Sequence, residues 1–211
     1  MSYPPLIEWF INDLLREKRE RRPYELWVTD LISCSNKYNL SLRYPEYARL
    51  TALKPPILNG TLIHQGFEAI IKEMGLGIIE KELSMNVNVD NVRYMIVGRV
   101  DIIYDNDLYE LKTISIIPDS VLEHHKDQVN IYRKLCEENG IEIRHAYVVY
   151  ISPRDGIKCY PVEKADVDIS WRVKTIVHNT AIPMYGWECG YCIWRELGFC
   201  NICNKGVRNG V

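Results

Sequence analysis

The stretch GRVDIIYDNDLYELKTI, residues 98–114, decides the fold because it predicts two strands joined by a tight reversal. Asp105 and Asn106 at its centre tolerate the positive φ that a two-residue hairpin loop requires. Counting outward from this loop sets Asp101 directly opposite Glu110, with both side chains on one face of the sheet. Two carboxylates at a Cβ separation of roughly 5 Å repel each other unless positive charge lies between them. The hairpin therefore predicts a cation site at this pair.

Lys112 shares the face of Glu110, two residues further along the strand. Hard oxygen ligands favour Mg²⁺ or Mn²⁺, and a lysine beside such an ion can position a water molecule or offset charge on a phosphate. The alternative is a solvent-facing hairpin whose acids and lysine are ordinary surface residues. Four apolar strand residues favour a buried hairpin instead: Ile102, Ile103, Leu108 and Leu111. Unpaired carboxylates are costly in such a position, so they indicate a function.

Two helical segments place further polar side chains one turn apart. In GTLIHQGFEAI, His64 and Glu68 are four residues apart, and an imidazole beside carboxylates and a backbone carbonyl favours Mn²⁺. In HHKDQVNIYRKL, Gln128 and Tyr132 have the same spacing, which suits orienting a catalytic lysine or holding a nucleotide strand. Taken alone, His64 fits a core histidine better than a ligand, and the second pair fits a structural role.

The remaining pattern predicts an α/β protein of the mixed α+β type, with a mixed sheet flanked by helices. Helices are predicted at residues 5–20, 57–75, 119–138 and about 165–180, with another that Thr29 caps and that runs through Cys34 and Leu42. Strands are predicted at residues 78–89 and 92–104, in LYELKTI and AYVVYIS, and in IKCYPV after a turn at Arg154. We expect one domain over residues 1–211, with a helical N-terminal region at 1–56, a core at 57–180 and a cysteine-rich segment at 181–211.

Length and composition fit one domain without targeting signals. The 211 residues carry a formal net charge of −2, so the whole-chain charge gives no sign of nucleic-acid binding. The N-terminus lacks the pattern of a signal peptide, and no segment approaches the ~18 apolar residues of a membrane span. We therefore expect a cytoplasmic protein that does not bind a membrane.

Seven cysteines in a reducing compartment favour metal or redox sites over disulfides. The segment CGYCIWRELGFCNIC, residues 189–203, contains four of them in a C-x2-C-x7-C-x2-C pattern. This pattern leaves open a zinc site, an iron–sulfur cluster or a reactive dithiol, although zinc ribbons usually space their pairs by ~15 residues or more. Cys136 and Cys159 are predicted to be core residues.

In chain order, the candidate residues resemble the RecB-type nucleases of the PD-(D/E)xK superfamily. The matching residues are His64, Asp101, Glu110-Leu111-Lys112, and Gln128 with Tyr132. Together with an early Cys34 and the late cysteine cluster, they resemble more narrowly the CRISPR-associated RecB-like exonucleases, the fourth of the core CRISPR-associated proteins. The resemblance spans residues 29–203.

This resemblance implies a restriction-endonuclease-like fold and a DNA exonuclease that acts chiefly on single strands. It implies that His64, Asp101, Glu110 and the carbonyl of Leu111 bind Mn²⁺ or Mg²⁺, that Lys112 is the catalytic lysine, and that Gln128 and Tyr132 complete the active-site helix. It also implies that the enzyme trims DNA captured for CRISPR arrays, beside the CRISPR integrase. The sequence leaves open whether the chain forms a homo-oligomer.

The resemblance further implies a 4Fe–4S or 2Fe–2S cluster that joins the N-terminal region to the C-terminal segment. Its ligands would be Cys34, Cys189, Cys192 and Cys200, with Cys203 as the alternative to Cys200. Relatives usually place the third late cysteine closer to the preceding pair than Cys200 lies here. Zinc on the four late cysteines stays a competing interpretation. The expected role of the cluster is structural.

Two other functions stay compatible with the sequence. One is a non-catalytic DNA-binding or scaffolding subunit, and the other is a stand-alone RecB-type repair nuclease. The intact acids and lysine favour an enzyme over the first. A basic run at residues 16–22 could contact phosphates, although a solvated helix end explains it better.

Overall fold

A six-stranded mixed sheet forms the centre of the protein in a computed structural model, which describes residues 3–16 and 21–200. The strands are β1 (Glu25–Trp27), β2 (Ile78–Val89), β3 (Val92–Tyr104), β4 (Asp107–Thr113), β5 (His145–Ser152) and β6 (Gly156–Pro161). β2 and β3 have the predicted bounds, and β4 to β6 also correspond to predicted strands. The mixed sheet with its flanking helices confirms the predicted fold class.

Helices precede, interrupt and follow the strands. They are α1 (Pro5–Leu15), α2 (Val28–Leu31), α3 (Ser35–Arg43), α4 (Pro45–Leu50), α5 (Pro55–Glu73), α6 (Glu123–Glu138), α7 (Ile169–Val177) and α8 (Ile193–Glu196), with short 3₁₀ helices at Thr51–Leu53 and Glu188–Tyr191. Asp168 caps α7 by accepting a hydrogen bond from Trp171 N at 2.8 Å. Within residues 3–16 and 21–200, no helix has both the length and the apolar character needed to cross a membrane.

The N-terminal region differs from the prediction in three places. α1 ends at Leu15, because the next residue is already extended, and residues 17–20 lie outside the described part. Thr29 is not an N-cap but lies inside α2, and the extended backbone at Cys34 (φ −50°, ψ 125°) starts α3 as a separate helix. The pattern also gave no sign of β1, because three residues carry too little alternation to be recognised.

The predicted reversal between β3 and β4 is confirmed. Tyr104 pairs with Asp107, and the two loop residues Asp105 and Asn106 have φ values of 49° and 62°. Positive φ at both central positions is the geometry of a type I′ turn, which matches the twist of the flanking strands.

Two shorter strands, β1 and β4, pair with the same edge of β3. Along its other edge it pairs with β2 over nearly its whole length. On the shared edge, β1 pairs in parallel with residues 95–97, and β4 pairs antiparallel with residues 102–104. Residues 98–101 therefore have no ladder partner on this edge among the described strands. This gap contains Gly98 and Asp101.

Helices cover the sheet on both faces. On one face, α2, α6 and α7 enclose the main core, which includes Leu26, Ile96, Leu108, Val129, Leu135 and Val173. On the other face, α5 packs Phe67 and Ile71 against a smaller cluster from β3, β4 and β5: Ile102, Leu111 and Val149. The gap in the β3 edge thus lies between two helical layers.

Gly98 lets α6 and α2 approach β3 more closely than a side chain would permit. A Cβ atom at this position would lie 2.6 Å from Leu135 Cδ1, 2.7 Å from Tyr132 Cε1 and 2.9 Å from Val28 Cγ2. All three neighbours are buried and have little room to move. The missing side chain therefore keeps Tyr132 against the strand that carries Asp101.

Replacing Gly98 by Ala should lower the free energy of unfolding by about 1–3 kcal/mol, because the added methyl group overpacks a filled core. Urea unfolding followed by circular dichroism measures this change. The matched control is Gly66→Ala on the exposed side of α5, where a Cβ atom would have no neighbour within 4 Å in the part of the chain that the structure describes. That variant should be unchanged or more stable by up to ~1 kcal/mol. Equal stability of the two variants would contradict the close packing at Gly98.

Candidate active site

Asp101 lies in the gap of the β3 edge and bonds to the neighbouring strand through its side chain. The ladder between β3 and β4 ends at Ile102 with Tyr109, one step before the predicted Asp101–Glu110 pair. In place of a ladder bond, Asp101 Oδ2 accepts a hydrogen bond from Leu111 N at 2.7 Å. This bond fixes the backbone at Leu111, whose carbonyl is one of the predicted ligands.

Glu110 is almost completely buried, with 2% of its surface exposed. Its Oε1 accepts a hydrogen bond from Lys112 Nζ at 2.7 Å, whereas its buried Oε2 has no hydrogen-bond partner among the described residues. Burial and then the charge of Asp101 raise the pKa of Glu110 to about 8, against the opposing charge of Lys112. A buried carboxylate oxygen without a partner is costly, and a bound cation would stabilise it.

His64, Glu68 and Asp101 form a group of potential metal ligands. One nitrogen of the imidazole and one oxygen of each carboxylate all lie within 4.8 Å of one another. Burial lowers the pKa of His64, so the ring is neutral near pH 7 and its nitrogen can bind a metal. Burial raises the pKa of Asp101, while Lys112, the Leu111 amide and His64 oppose that rise. The mixed nitrogen and oxygen donors suit Mn²⁺ or Mg²⁺.

Glu68 was not among the predicted ligands, although it belongs to this group. The signal in the sequence was its four-residue spacing from His64, which puts both side chains on one face of α5. Burial raises the pKa of Glu68 to about 7, and the charges of Glu80 and Asp101 add to the rise. Several carboxylates close together in a partly buried position again indicate a cation.

Lys112 lies at the centre of the site's electrostatics. Burial is the main reason why the pKa of His124 falls to about 4 and that of His125 to about 2, and the charge of Lys112 is the second reason. Both histidines are therefore neutral near pH 7, and His125 Nδ1 lies 2.8 Å from Tyr150 Oη. Their nearness to Lys112 on β4 depends on how α6 packs against the sheet.

Gln128 and Tyr132 face the site from α6. Both are buried, and Gln128 Nε2 donates a hydrogen bond to Tyr132 Oη at 3.1 Å. Burial and then the charge of Glu110 raise the pKa of Tyr132 well above its usual value. The phenol therefore stays protonated and close to the buried carboxylates, where it can act as a hydrogen-bond donor.

All four predicted cluster ligands line one cavity of about 260 Å³: Cys34, Cys189, Cys192 and Cys200. Asn36 Nδ2 donates a hydrogen bond to Cys200 Sγ at 3.3 Å. Burial raises the pKa of Cys34, and hydrogen bonds from the backbone at Lys37 and Asn36 oppose that rise. N–H groups directed at sulfur are typical of thiolate ligands in iron–sulfur sites, so Cys34 and Cys200 fit such a cluster. Cys189 is disulfide-bonded in this structure, so it would serve as a ligand in its reduced form.

Three other cysteines have different positions. Cys203, the alternative ligand, lies outside the described residues. Cys136 belongs to the main core, as predicted, and burial raises its pKa to about 12. Cys159 is exposed, so the prediction of a core residue is wrong: it lies on β6, at the edge of the sheet.

Glu188 joins the C-terminal segment to the start of α3. Its Oε1 accepts a hydrogen bond from Cys34 N at 2.7 Å, and its Oε2 accepts bonds from Met184 N and Tyr185 N, both at 2.8 Å. A carboxylate that receives one backbone N–H group from the start of α3 and two from its own segment holds these two parts of the chain together. The cysteine cavity therefore has a second connection that does not depend on sulfur.

No model of a known protein family matches the chain. The CRISPR-associated exonuclease Cas4 of Saccharolobus solfataricus is 32% identical over 182 residues, which cover 82% of this chain and 86% of the relative. The crystal structure of SSO0001 matches with a TM-score of 0.84 and 27% sequence identity, and covers 94% of this chain and 97% of that one.

The similarity extends over most of both chains in sequence and in structure. It confirms the family that the site residues predicted, and with it the class of enzyme, a nuclease. This chain belongs to the Cas4 family of CRISPR-associated exonucleases.

Proposed function

We propose that this protein is a divalent-metal-dependent DNA exonuclease of the cytoplasm, which acts mainly on single strands and trims DNA ends for CRISPR spacer acquisition. The observation that carries this proposal is the buried Oε2 of Glu110, which lies beside the group of His64, Glu68 and Asp101 and has no hydrogen-bond partner within residues 3–16 and 21–200. The relative's name supports an exonuclease and a CRISPR context. A partnership with the CRISPR integrase and assembly into a homo-oligomer belong to the same proposal.

The metal would be held by His64, Asp101, Glu110 and the Leu111 carbonyl, with Glu68 within reach of the same position. When bound, a divalent cation supplies an activated water and a counter-charge for the phosphate. The hydrogen bond from Leu111 N to Asp101 keeps strand β4 in register with the ligand group. The proposed ligands from β3 and β4 would thus be in position before any ion binds.

Lys112 would offset the negative charge that develops on the phosphate during hydrolysis. Its hydrogen bond to Glu110 Oε1 holds the ammonium group in place, because Glu110 is itself buried and cannot swing away. The Gln128–Tyr132 pair closes the site from α6 and keeps a neutral donor beside the acids. A non-catalytic subunit would have no need for this arrangement of buried charges.

We also propose that Cys34, Cys189, Cys192 and Cys200 hold an iron–sulfur cluster, either 4Fe–4S or 2Fe–2S, with a structural role. Their common cavity and the N–H groups directed at Cys34 and Cys200 support this proposal. Such a cluster would close the chain between the N-terminal helices and the C-terminal segment, which constrains the unfolded state as well.

Asp101→Asn should remove metal-dependent cleavage of single-stranded DNA, with a loss of about 100-fold or more in rate, because the metal site contributes several kcal/mol to the transition state. Release of nucleotides from an end-labelled oligonucleotide with Mn²⁺ or Mg²⁺ measures the rate. Asp166→Asn, which changes an exposed aspartate between β6 and α7, is the control and should keep full activity. A fully active Asp101→Asn variant would refute the assignment of the site.

Glu110→Gln should stabilise the protein in the absence of divalent metal, and more so at higher pH. In the unfolded chain Glu110 ionises with its ordinary pKa of 4.5, whereas burial raises the pKa in the folded protein to about 8. Folding therefore becomes less favourable as pH rises through this range, and the Gln variant avoids that cost.

The free energy of unfolding of Glu110→Gln, relative to that of the wild type, should be higher at pH 8 than at pH 5 by at least about 1 kcal/mol. This corresponds to roughly 2–4 °C in Tm for a chain of this length. Thermal unfolding in EDTA at the two pH values measures it, with the exposed Glu163→Gln as a control that should show no such trend. A Gln variant that is less stable than the wild type at pH 8 would be inconsistent with a strained Glu110.

Cys34→Ser and Cys192→Ser should each reduce the bound iron and lower Tm, because each removes one ligand of the proposed cluster. Iron, sulfide and zinc analysis after anaerobic purification measures the metal content. Cys159→Ser is the matched control, since this exposed thiol lies outside the cavity and should leave the iron content unchanged. Stoichiometric zinc without iron in the wild type would overturn the cluster proposal.

A further inference from the structure

A cleft of about 1270 Å³ lies beside the candidate active site. The start of α5, the end of β4, the start of α6 and the C-terminal segment line it. Thr113, which lines the cleft, directly follows Lys112 on β4. His124 and His125 also line the cleft, and both are close enough to Lys112 for its charge to lower their pKa. The cleft therefore adjoins the site where the phosphate would be hydrolysed.

Exposed aromatic rings line this cleft. Tyr191 is 80% exposed and Trp187 is 48% exposed, and both come from the C-terminal segment. The Trp187 ring packs against His124, with centroids 4.6 Å apart, and lies nearly parallel to Tyr185 at 6.4 Å. These contacts hold the indole in one orientation while about half of its surface stays open. Large rings kept in position and exposed in a cleft mark a binding surface.

The charges of the cleft nearly cancel. Arg172 is paired with Asp127 at 2.6 Å, and the exposed Arg154 and Glu123 have opposite charges. A site that binds a polyanion with so little net positive charge must gain much of its affinity from stacking rather than from phosphate contacts. In a duplex the bases already stack on one another, whereas the unpaired bases of a single strand can stack on exposed rings.

We propose that this cleft binds the single strand on its way to the active site, and that Trp187 and Tyr191 stack against its bases. The proposal rests on the proposed nuclease function, because that function supplies the strand. Every base offers a π-face, so this contact grips the strand without selecting a sequence.

The position of the two rings depends on the cysteine segment. Trp187 immediately precedes Glu188, which accepts the hydrogen bond from Cys34 N, and Tyr191 immediately precedes Cys192. Both rings also line the cysteine cavity, so they lie between that cavity and the cleft. The segment that closes the chain thus forms one wall of the proposed strand-binding site.

Binding is tested with full-length, cluster-containing protein that carries Asp101→Asn to prevent cleavage. Fluorescence anisotropy of a labelled oligothymidylate of about 12 nucleotides gives the Kd. Trp187→Ala and Tyr191→Ala should each raise Kd by about 5- to 150-fold, and the double change should raise it further. Trp187→Phe should keep most of the affinity, because a ring remains, and Kd of the parent should depend only weakly on salt.

Trp9→Ala is the matched control, since this tryptophan is 67% exposed on α1 and lies outside the cleft. It should bind like the parent. Because Tyr191 is so exposed, a loss of binding in its variant cannot be ascribed to misfolding, and circular dichroism checks the Trp187 variants. Unchanged binding in both cleft variants, an equal loss in Trp9→Ala, or the same dependence on the rings for blunt duplex DNA would each overturn the proposal.

The two proposals can fail separately. If the wild type cleaves single strands but the cleft variants bind as well as the parent, the strand-binding site is wrong and the nuclease function stands. If binding depends on the two rings but the wild type shows no metal-dependent cleavage, the cleft assignment stands and the nuclease function is wrong.

Discussion

The burial of the Glu110 carboxylate beside that of Asp101 is the constraint on which the site depends. Burial raises the pKa of both acids, and the charge of Asp101 raises that of Glu110 further. Lys112 hydrogen-bonds to one oxygen of Glu110, and the other has no hydrogen-bond partner among the described residues. The gap in the β3 edge relieves part of this cost, because the Asp101 side chain takes the N–H group of Leu111 in place of a ladder bond. The remaining cost favours a cation at the position where α5 adds its histidine and glutamate.

Local rules predicted the hairpin correctly. Asp105 and Asn106 determine the reversal, and the alternation of apolar residues on either side determines the bounds of β2 and β3. The order and spacing of the site residues then predicted the family, which the comparisons confirm. The register argument placed Asp101 beside Glu110, but it could not foresee that the ladder ends one step earlier and that the Asp101 side chain bonds to Leu111 N instead.

What the sequence did not predict depends on packing between distant segments. β1 forms only because β3 offers it an edge. The predicted helix from Thr29 through Leu42 is divided at Cys34, whose N–H group bonds to the distant Glu188. The sequence signal for Glu68 is its spacing from His64, and His124 has no comparable signal. Both join the site only when α5 and α6 pack against the sheet. Cys159 was expected in the core because an edge strand and a central strand read alike in sequence.

The shared acceptor at Glu188 has a consequence for hydrogen exchange. The amides of Cys34, Met184 and Tyr185 all donate to one carboxylate, although about 150 residues of chain separate the first from the others. A local opening that releases this carboxylate exposes all three amides to solvent at once. The first turn of α3 and the segment before Glu188 should therefore open as one cooperative unit. Protection of the Cys34 amide from exchange should then match that of the Met184 and Tyr185 amides.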